Sequence, residues 1–134
     1  MDEAKLRDIP LFAKLSRKQR KLLALRADEV DVQPGKLVCR KGEPANEVYV
    51  IEQGTAKVVR DGQYLDELGP GDLFGEMGVL DDAPRNANVI AITPLTLIIL
   101  SGSALKELER EQPELAARIS ATVEQRRHWL EPAL

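Results

Sequence analysis

The sequence predicts a mainly β fold, an eight-stranded antiparallel roll of the jelly-roll (double-stranded β-helix) kind with helices at both ends. Three observations predict it. From Val30 to Leu100, short apolar segments alternate with evenly spaced turn pairs, namely Pro34-Gly35, Lys41-Gly42, Gln53-Gly54, Asp61-Gly62 and Pro70-Gly71. On either side of this zone the apolar period lengthens to that of a helix. The chain has 134 residues, 43% apolar and 31% charged, which suits one ordered domain with a genuine core.

Residues 1–29 read as helices. Leu11, Phe12 and Leu15, then Leu22, Leu23 and Leu25, recur at helical spacing. Ser16 followed by Gln19 forms a capping box that opens the second of two helices. The cations Lys14, Arg17, Lys18, Arg20 and Lys21 read as a solvated helix face rather than a nucleic-acid surface. Residues 30–100 form the roll, with strands such as "EVYVI", "AKVVR", "NVIAI" and "LTLIIL". Asp61-Gly62 joins two of them as a two-residue hairpin, because both turn positions favour positive φ. Pro70-Gly71 fits a type II turn. A closed roll removes the exposed strand edges that so many short strands would otherwise present. Cys39 falls in a strand as a small buried apolar group. Residues 101–134 return to helix: "SALKELEREQ" makes one, and Pro113 starts another in its first turn. Leu115, Ile119 and Val123 mark the face expected to pack on the roll. With no internal repeat or linker, residues 1–134 read as a single domain.

Several function classes are excluded on this reading. A net charge of -3 provides no broad basic field, so neither direct nucleic-acid binding nor attraction to an anionic membrane is expected. The apolar run Leu95 to Leu100 is far too short to span a bilayer. The single cysteine rules out an internal disulfide and a multi-cysteine metal site. The N-terminus shows no secretory pattern, so a reducing, cytoplasmic setting is expected. Asp81 and Asp82 have no third ligand nearby and read as a solvated turn, so no metal is expected. His128 reads as a surface residue and Trp129 as packing of the last helix. No nucleophile stands with an activating base, so the chain is read as a binding protein without cofactor rather than an enzyme.

One stretch carries chemistry, "FGEMGVLDDAPRNANV", from Phe74 to Val89. Gly75 lets a ligand approach the backbone closely. "EMGVL" suits one short helical turn whose free amides favour an anion. Arg85, brought back by the Asp81 to Pro84 loop, adds a guanidinium fork suited to phosphate. Glu76 would repel phosphate but accepts from a sugar hydroxyl. Singly, Arg85 reads equally well as a strand residue paired to Asp81 or Asp82, and Glu76 as a first-turn acid favoured by the helix dipole. Together, at this spacing, they point to a sugar phosphate of low charge.

"GPGDLFGEMGVLDDAPRNANV" resembles the phosphate-binding cassette of the cyclic-nucleotide-binding domain family. That family includes regulatory subunits of cyclic-AMP-dependent protein kinase, the catabolite activator protein and bacterial cyclic-nucleotide-gated potassium channels. The match runs through Phe74, Gly75 and Glu76, then Pro84, Arg85, Asn86 and Ala87. The resemblance implies that Glu76 accepts from the ribose 2'-hydroxyl and that Arg85 pairs with the cyclic phosphate. Amides near Gly75, Glu76, Asn86 and Ala87 would add hydrogen bonds, and Phe74 and Met77 would line the apolar side. Arg126, on the last helix, matches the base-capping arginine of the bacterial channels, and an arginine plane over a purine is physically sound. Asn86 departs from the small Ala, Ser or Thr of relatives.

The resemblance therefore implies a regulatory sensor for cyclic AMP in preference to cyclic GMP, whose final helix swings over the base and acts on an effector protein or domain, with a homodimer one arrangement open to it. The rival readings are the sensor piece of a catabolite-activator-type transcription factor, for which no helix-turn-helix follows before Leu134, and a degenerate domain used for protein interaction.

Overall fold

The computed structural model describes residues 1–76, 79 and 83–126, the side chains at 122, 123, 125 and 126 excepted. Three helices open the chain, α1 (Glu3–Arg7), α2 (Pro10–Ala13) and α3 (Arg17–Leu25). Eight strands follow: β1 (Ala27–Val32), β2 (Leu37–Cys39), β3 (Glu47–Gln53), β4 (Ala56–Arg60), β5 (Gln63–Leu68), β6 (Leu73–Phe74), β7 (Asn88–Ala91) and β8 (Leu95–Ser101). Two helices end it, α4 (Gly102–Glu111) and α5 (Pro113–Arg126).

The strands form two antiparallel four-stranded sheets, ordered β1-β8-β3-β6 and β2-β7-β4-β5. One core fills the space between them, with Ile51, Val58, Phe74, Val89 and Leu97 inside. A second core lies between the first sheet and the helices, where Val48, Val50, Ile98 and Leu100 meet Leu6, Phe12, Leu23, Leu105 and Ile119. Alternation along a strand sends neighbours to opposite faces, so β3 and β8 feed both cores. That is why "LTLIIL" is apolar at every position but Thr96 rather than alternating: both faces of β8 pack against core.

Local chemistry sets the elements as the sequence predicts. Ser16 and Gln19 form the capping box of α3, each side chain bonded to the other's backbone N–H. Asp61 and Gly62 take positive φ, 52° and 80°, and β4 pairs with β5 across them from Arg60 and Gln63 onward. The Pro70-Gly71 turn is fastened to β3, since Gly71 N–H donates to Ile51 O at 2.7 Å. This sets the direction of β6 and of the residues after it. Cys39 is buried at the end of β2, and burial pushes its thiol up to about 11.

Three expectations need correction. The first helical zone holds three helices rather than two, because Pro10 restarts the chain as the first residue of α2. The roll begins at Ala27 rather than Val30, since Ala27 to Val32 pair in continuous register with Leu100 to Leu95. The strand after the cassette begins at Asn88, so Arg85, Asn86 and Ala87 lie before it. Leu115 and Ile119 are buried in the core that the helices share with the first sheet, as expected, and the side chain of Val123 lies outside the described residues. Among the described residues, no helix is long and apolar enough to cross a membrane, and no group of three His, Cys, Asp or Glu could hold a metal ion.

Candidate functional site

The site is built from the end of β6 upward. Phe74 is fully buried and stacks on Tyr49 of β3, with ring centroids 5.0 Å apart. Tyr49 and Phe74 face each other because β3 and β6 pair at those residues. Gly75 follows with φ 84°, a left-handed conformation that glycine adopts without a steric penalty. Glu76 comes next, helical and 1% exposed.

Arg85 arrives from the other side. Its backbone is clamped to the loop between β2 and β3, where Gly42 N–H donates to Arg85 O at 2.8 Å and Arg85 N–H donates to Glu43 O at 2.9 Å. The clamp aims the guanidinium inward, leaving the residue 8% exposed. Nη1 donates to Gly75 O and Nη2 to Glu47 O, each at 2.7 Å. The guanidinium carbon sits 5.4 Å from the centroid of the Tyr49 ring. Burial pushes the Tyr49 hydroxyl up to about 12, so that ring stays neutral beneath the cation. The fit is close: a Cβ at position 75 would lie 2.6 Å from Arg85 Nη1 and 3.2 Å from Tyr49 Cδ2.

The structure thus brings Phe74, Gly75, Glu76 and Arg85 together, along with Asn86 and Ala87, which adjoin Arg85. Ala87 is buried against the inner core. Asn86 Nδ2 is buried with no acceptor among the described residues. Met77, the side chain of Arg126, Asp81, Asp82, His128 and Trp129 lie outside the described residues. Phe74 supports the site from below, through Tyr49, rather than standing alone. Tyr49 and the Glu47 carbonyl are the participants that sequence reading missed. The signal for Tyr49 was its alternation with Val48 and Val50, which places it on the roll-facing side of β3.

Chemically, Arg85 is a buried cation that forms no ion pair with a described residue. A buried charge is costly unless it is compensated, and the partners of Arg85 are two neutral carbonyls and a ring face. A guanidinium has five N–H donors; the two carbonyl bonds leave about three for an anion. Glu76 sets a buried carboxyl one residue from the carbonyl that holds the fork. An anion would pair with the fork, and a hydroxyl beside it can donate to a carboxylate.

Behind the site, Val79 is 4% exposed and touches the start of α4. A Cβ at Gly102 would come within 2.7 Å of Val79 Cγ1, so only a hydrogen fits between the cassette and that helix. Gly102 N–H is tied to Asn46 O at 2.9 Å, which seats the helix start on the approach to β3.

Comparison with known proteins gives a consistent result. Residues 29–112 match the family model described as the cyclic nucleotide-binding domain. The chain is 36% identical over 120 residues to a cAMP-dependent protein kinase regulatory subunit of Schizosaccharomyces pombe, covering 83% of this chain and 29% of that one. It is 35% identical over 121 residues to a cyclic nucleotide-gated potassium channel of Mesorhizobium japonicum, covering 89% and 33%. Among solved structures, the regulatory subunit of a cAMP-independent protein kinase A from Trypanosoma brucei superposes with a TM-score of 0.79 at 27% identity, over 90% of this chain and 44% of that one. The chain spans about a third of the length of the curated relatives it matches, 29% and 33% for the two named.

Proposed function

The chain belongs to the cyclic nucleotide-binding domain family, and we propose that it is a sensor in which Arg85 holds the cyclic phosphate and Glu76 the ribose 2'-hydroxyl. The observation that carries this reading is the buried guanidinium of Arg85, aimed by two carbonyls and forming no ion pair with a described residue. The cyclic phosphate bears one negative charge, so one arginine neutralises it without a second cation. Asn86 Nδ2 offers a further donor at the same wall. Backbone amides at Gly75, Glu76, Asn86 and Ala87 would complete the grip, with Met77 on the apolar side and Arg126 as base cap. Cyclic AMP is the preferred ligand, in keeping with the kinase regulatory subunits among its relatives.

Ligand binding is coupled to the C-terminal helices through Val79. Drawing the cassette toward phosphate shifts Val79, and Gly102 leaves no slack for α4 to stay behind. Such a movement regulates an effector only if the two states differ in nucleotide affinity. The effector is a protein or domain yet to be identified, in a soluble, cytoplasmic setting, and the chain acts as a binding module of residues 1–134 without catalysis of its own.

A second reading is that the pocket takes a different small ligand; the Trypanosoma brucei relative, described as cAMP-independent, favours it. Thermal unfolding separates the two. A ligand at about 100 times its Kd stabilises the folded state by roughly 2.7 kcal/mol. Cyclic AMP should raise the melting temperature most, cyclic GMP less and 5'-AMP, with its extra charge, least. No shift with any cyclic nucleotide would overturn the main reading.

A further inference from the structure

α3 presents a cationic ridge with apolar residues at its end. Leu22 is 55% and Leu25 83% exposed, while Leu23 and Ala24 between them are buried. From the helical pitch, Arg17, Lys18, Lys21, Leu22 and Leu25 fall within an arc of about 140°, opposite Arg20, Leu23 and Ala24. All five are exposed. No acid stands between Asp8 and Asp28: residues 9–27 carry a net +6 and the remaining residues -9, which together give the chain its -3. Arg20 is paired with Glu3 and Arg26 with Glu107, whereas Arg17, Lys18 and Lys21 form no ion pair with a described residue.

Beside this ridge α3 and α4 leave a groove of about 250 Å³, floored by Leu22, Leu23, Leu25, Ala104 and Leu108. The charges in its lining are Arg26, Glu107 and Glu111, so the groove is acidic on balance. Arg26 and Glu107 are joined to each other, and Glu111, exposed, is the acid left over. A groove between two helices accepts the ridge of a third. Ridge and groove therefore carry opposite charge within one chain. They also share Leu22 and Leu25, which stand on the exposed arc of the one and in the lining of the other. A two-fold contact needs this kind of self-complementary patch, since each residue that meets a second is met by that second in return.

We propose that this face pairs two copies of the chain, with α3 of each lying in the groove between α3 and α4 of the other. Leu22 and Leu25 of the two copies then cover one another, and Lys18 and Lys21 of each ridge face Glu111 of the opposite groove. A basic helix of another protein would satisfy the groove alone, and an anionic surface the ridge alone. A second copy satisfies both at once. Pairing here does not depend on what Arg85 binds.

Sedimentation equilibrium of the full chain, from micromolar to millimolar, tests this. A reversible dimer is the expected result. Leu22→Ser with Leu25→Ser should raise its dissociation constant by more than about tenfold, while thermal unfolding of the dilute chain stays unchanged because both positions are exposed. Lys18→Glu with Lys21→Glu should weaken pairing on the order of tenfold, and so should Glu111→Lys alone. An equimolar mixture of these two charge variants should pair again, as contact between ridge and groove requires. A monomer throughout would overturn the proposal, whether or not it captures a leucine peptide flanked by lysines or phosphatidylserine vesicles. So would a dimer indifferent to the leucines, or a mixture of the charge variants that stays apart.

Discussion

At Arg85 the local chemistry is unusually constrained: a guanidinium 8% exposed, two carbonyl acceptors at 2.7 Å and a tyrosine ring beneath. Gly75 is the residue that permits it. Gly75→Ala would force a Cβ into the space of Nη1 and strain a backbone at φ 84°. That strain costs about 1–3 kcal/mol, to be read from denaturant unfolding, and nucleotide affinity should fall further than this loss explains. Glu76→Gln keeps the shape and one acceptor but removes the charge; it should weaken a ribo-nucleotide and leave a 2'-deoxy cyclic nucleotide unchanged. Equal losses for both ligands would show that Glu76 does not meet the 2'-hydroxyl. The glycine, the glutamate and the arginine were legible in the sequence because each is a type that the surrounding segment does not need. Tyr49 was not. It lies outside the cassette, in a strand whose apolar alternation already accounts for a tyrosine, and only the β3–β6 pairing reveals what it supports.

Among the elements, those with a local chemical signal were read correctly and those defined by partners were not. Ser16 and Gln19, Asp61-Gly62, Pro70-Gly71 and Pro113 each act within a few residues, so the helix start and the turns follow from composition. Ser16→Ala should lower stability by about 1 kcal/mol in equilibrium unfolding, since it frees a helix N–H. β1 had no such signal: half of "ADEVDV" is charged, and only its ladder with β8 makes it a strand. The break between α1 and α2 was likewise hidden, because Leu6, Ile9 and Phe12 keep a helical spacing across it while all three stay buried. In the proposed coupling, the close approach of Val79 to Gly102 is what would link the cassette to α4. Gly102→Ala should cost about 1–3 kcal/mol by overpacking. It should also displace the amide shifts of α4 in the free protein, as a direct readout of the coupling.

Across the whole molecule, two cores share one sheet, so the helices and the roll are held by opposite faces of β3 and β8. The rim of that sheet carries two carboxyls, Glu29 and Glu52, shifted in opposite directions. Burial, then a hydrogen bond with Glu29, pushes the Glu52 carboxyl up to about 7, whereas Glu29, bonded to Glu52 and Lys5, is held below its ordinary 4.5. With its folded value raised, Glu52 binds its proton more tightly in the native state, so its contribution declines as pH rises from about 4.5 to 7. Glu29 contributes in the opposite sense, and its share is lost as pH falls below 4.5. Glu52→Gln should therefore gain stability over the parent between pH 5 and 8, by at most about 1 kcal/mol given solvent screening. An unchanged pH slope would show that the pair is not coupled to folding. The central claim concerns the buried cation, and calorimetric titration of the chain and its Arg85→Ala variant with cyclic AMP tests it most directly. Saturable one-site binding, weakened by about 2–5 kcal/mol in the variant, is the result expected. Absence of heat with millimolar cyclic AMP or cyclic GMP, or equal affinity in the variant, would contradict it.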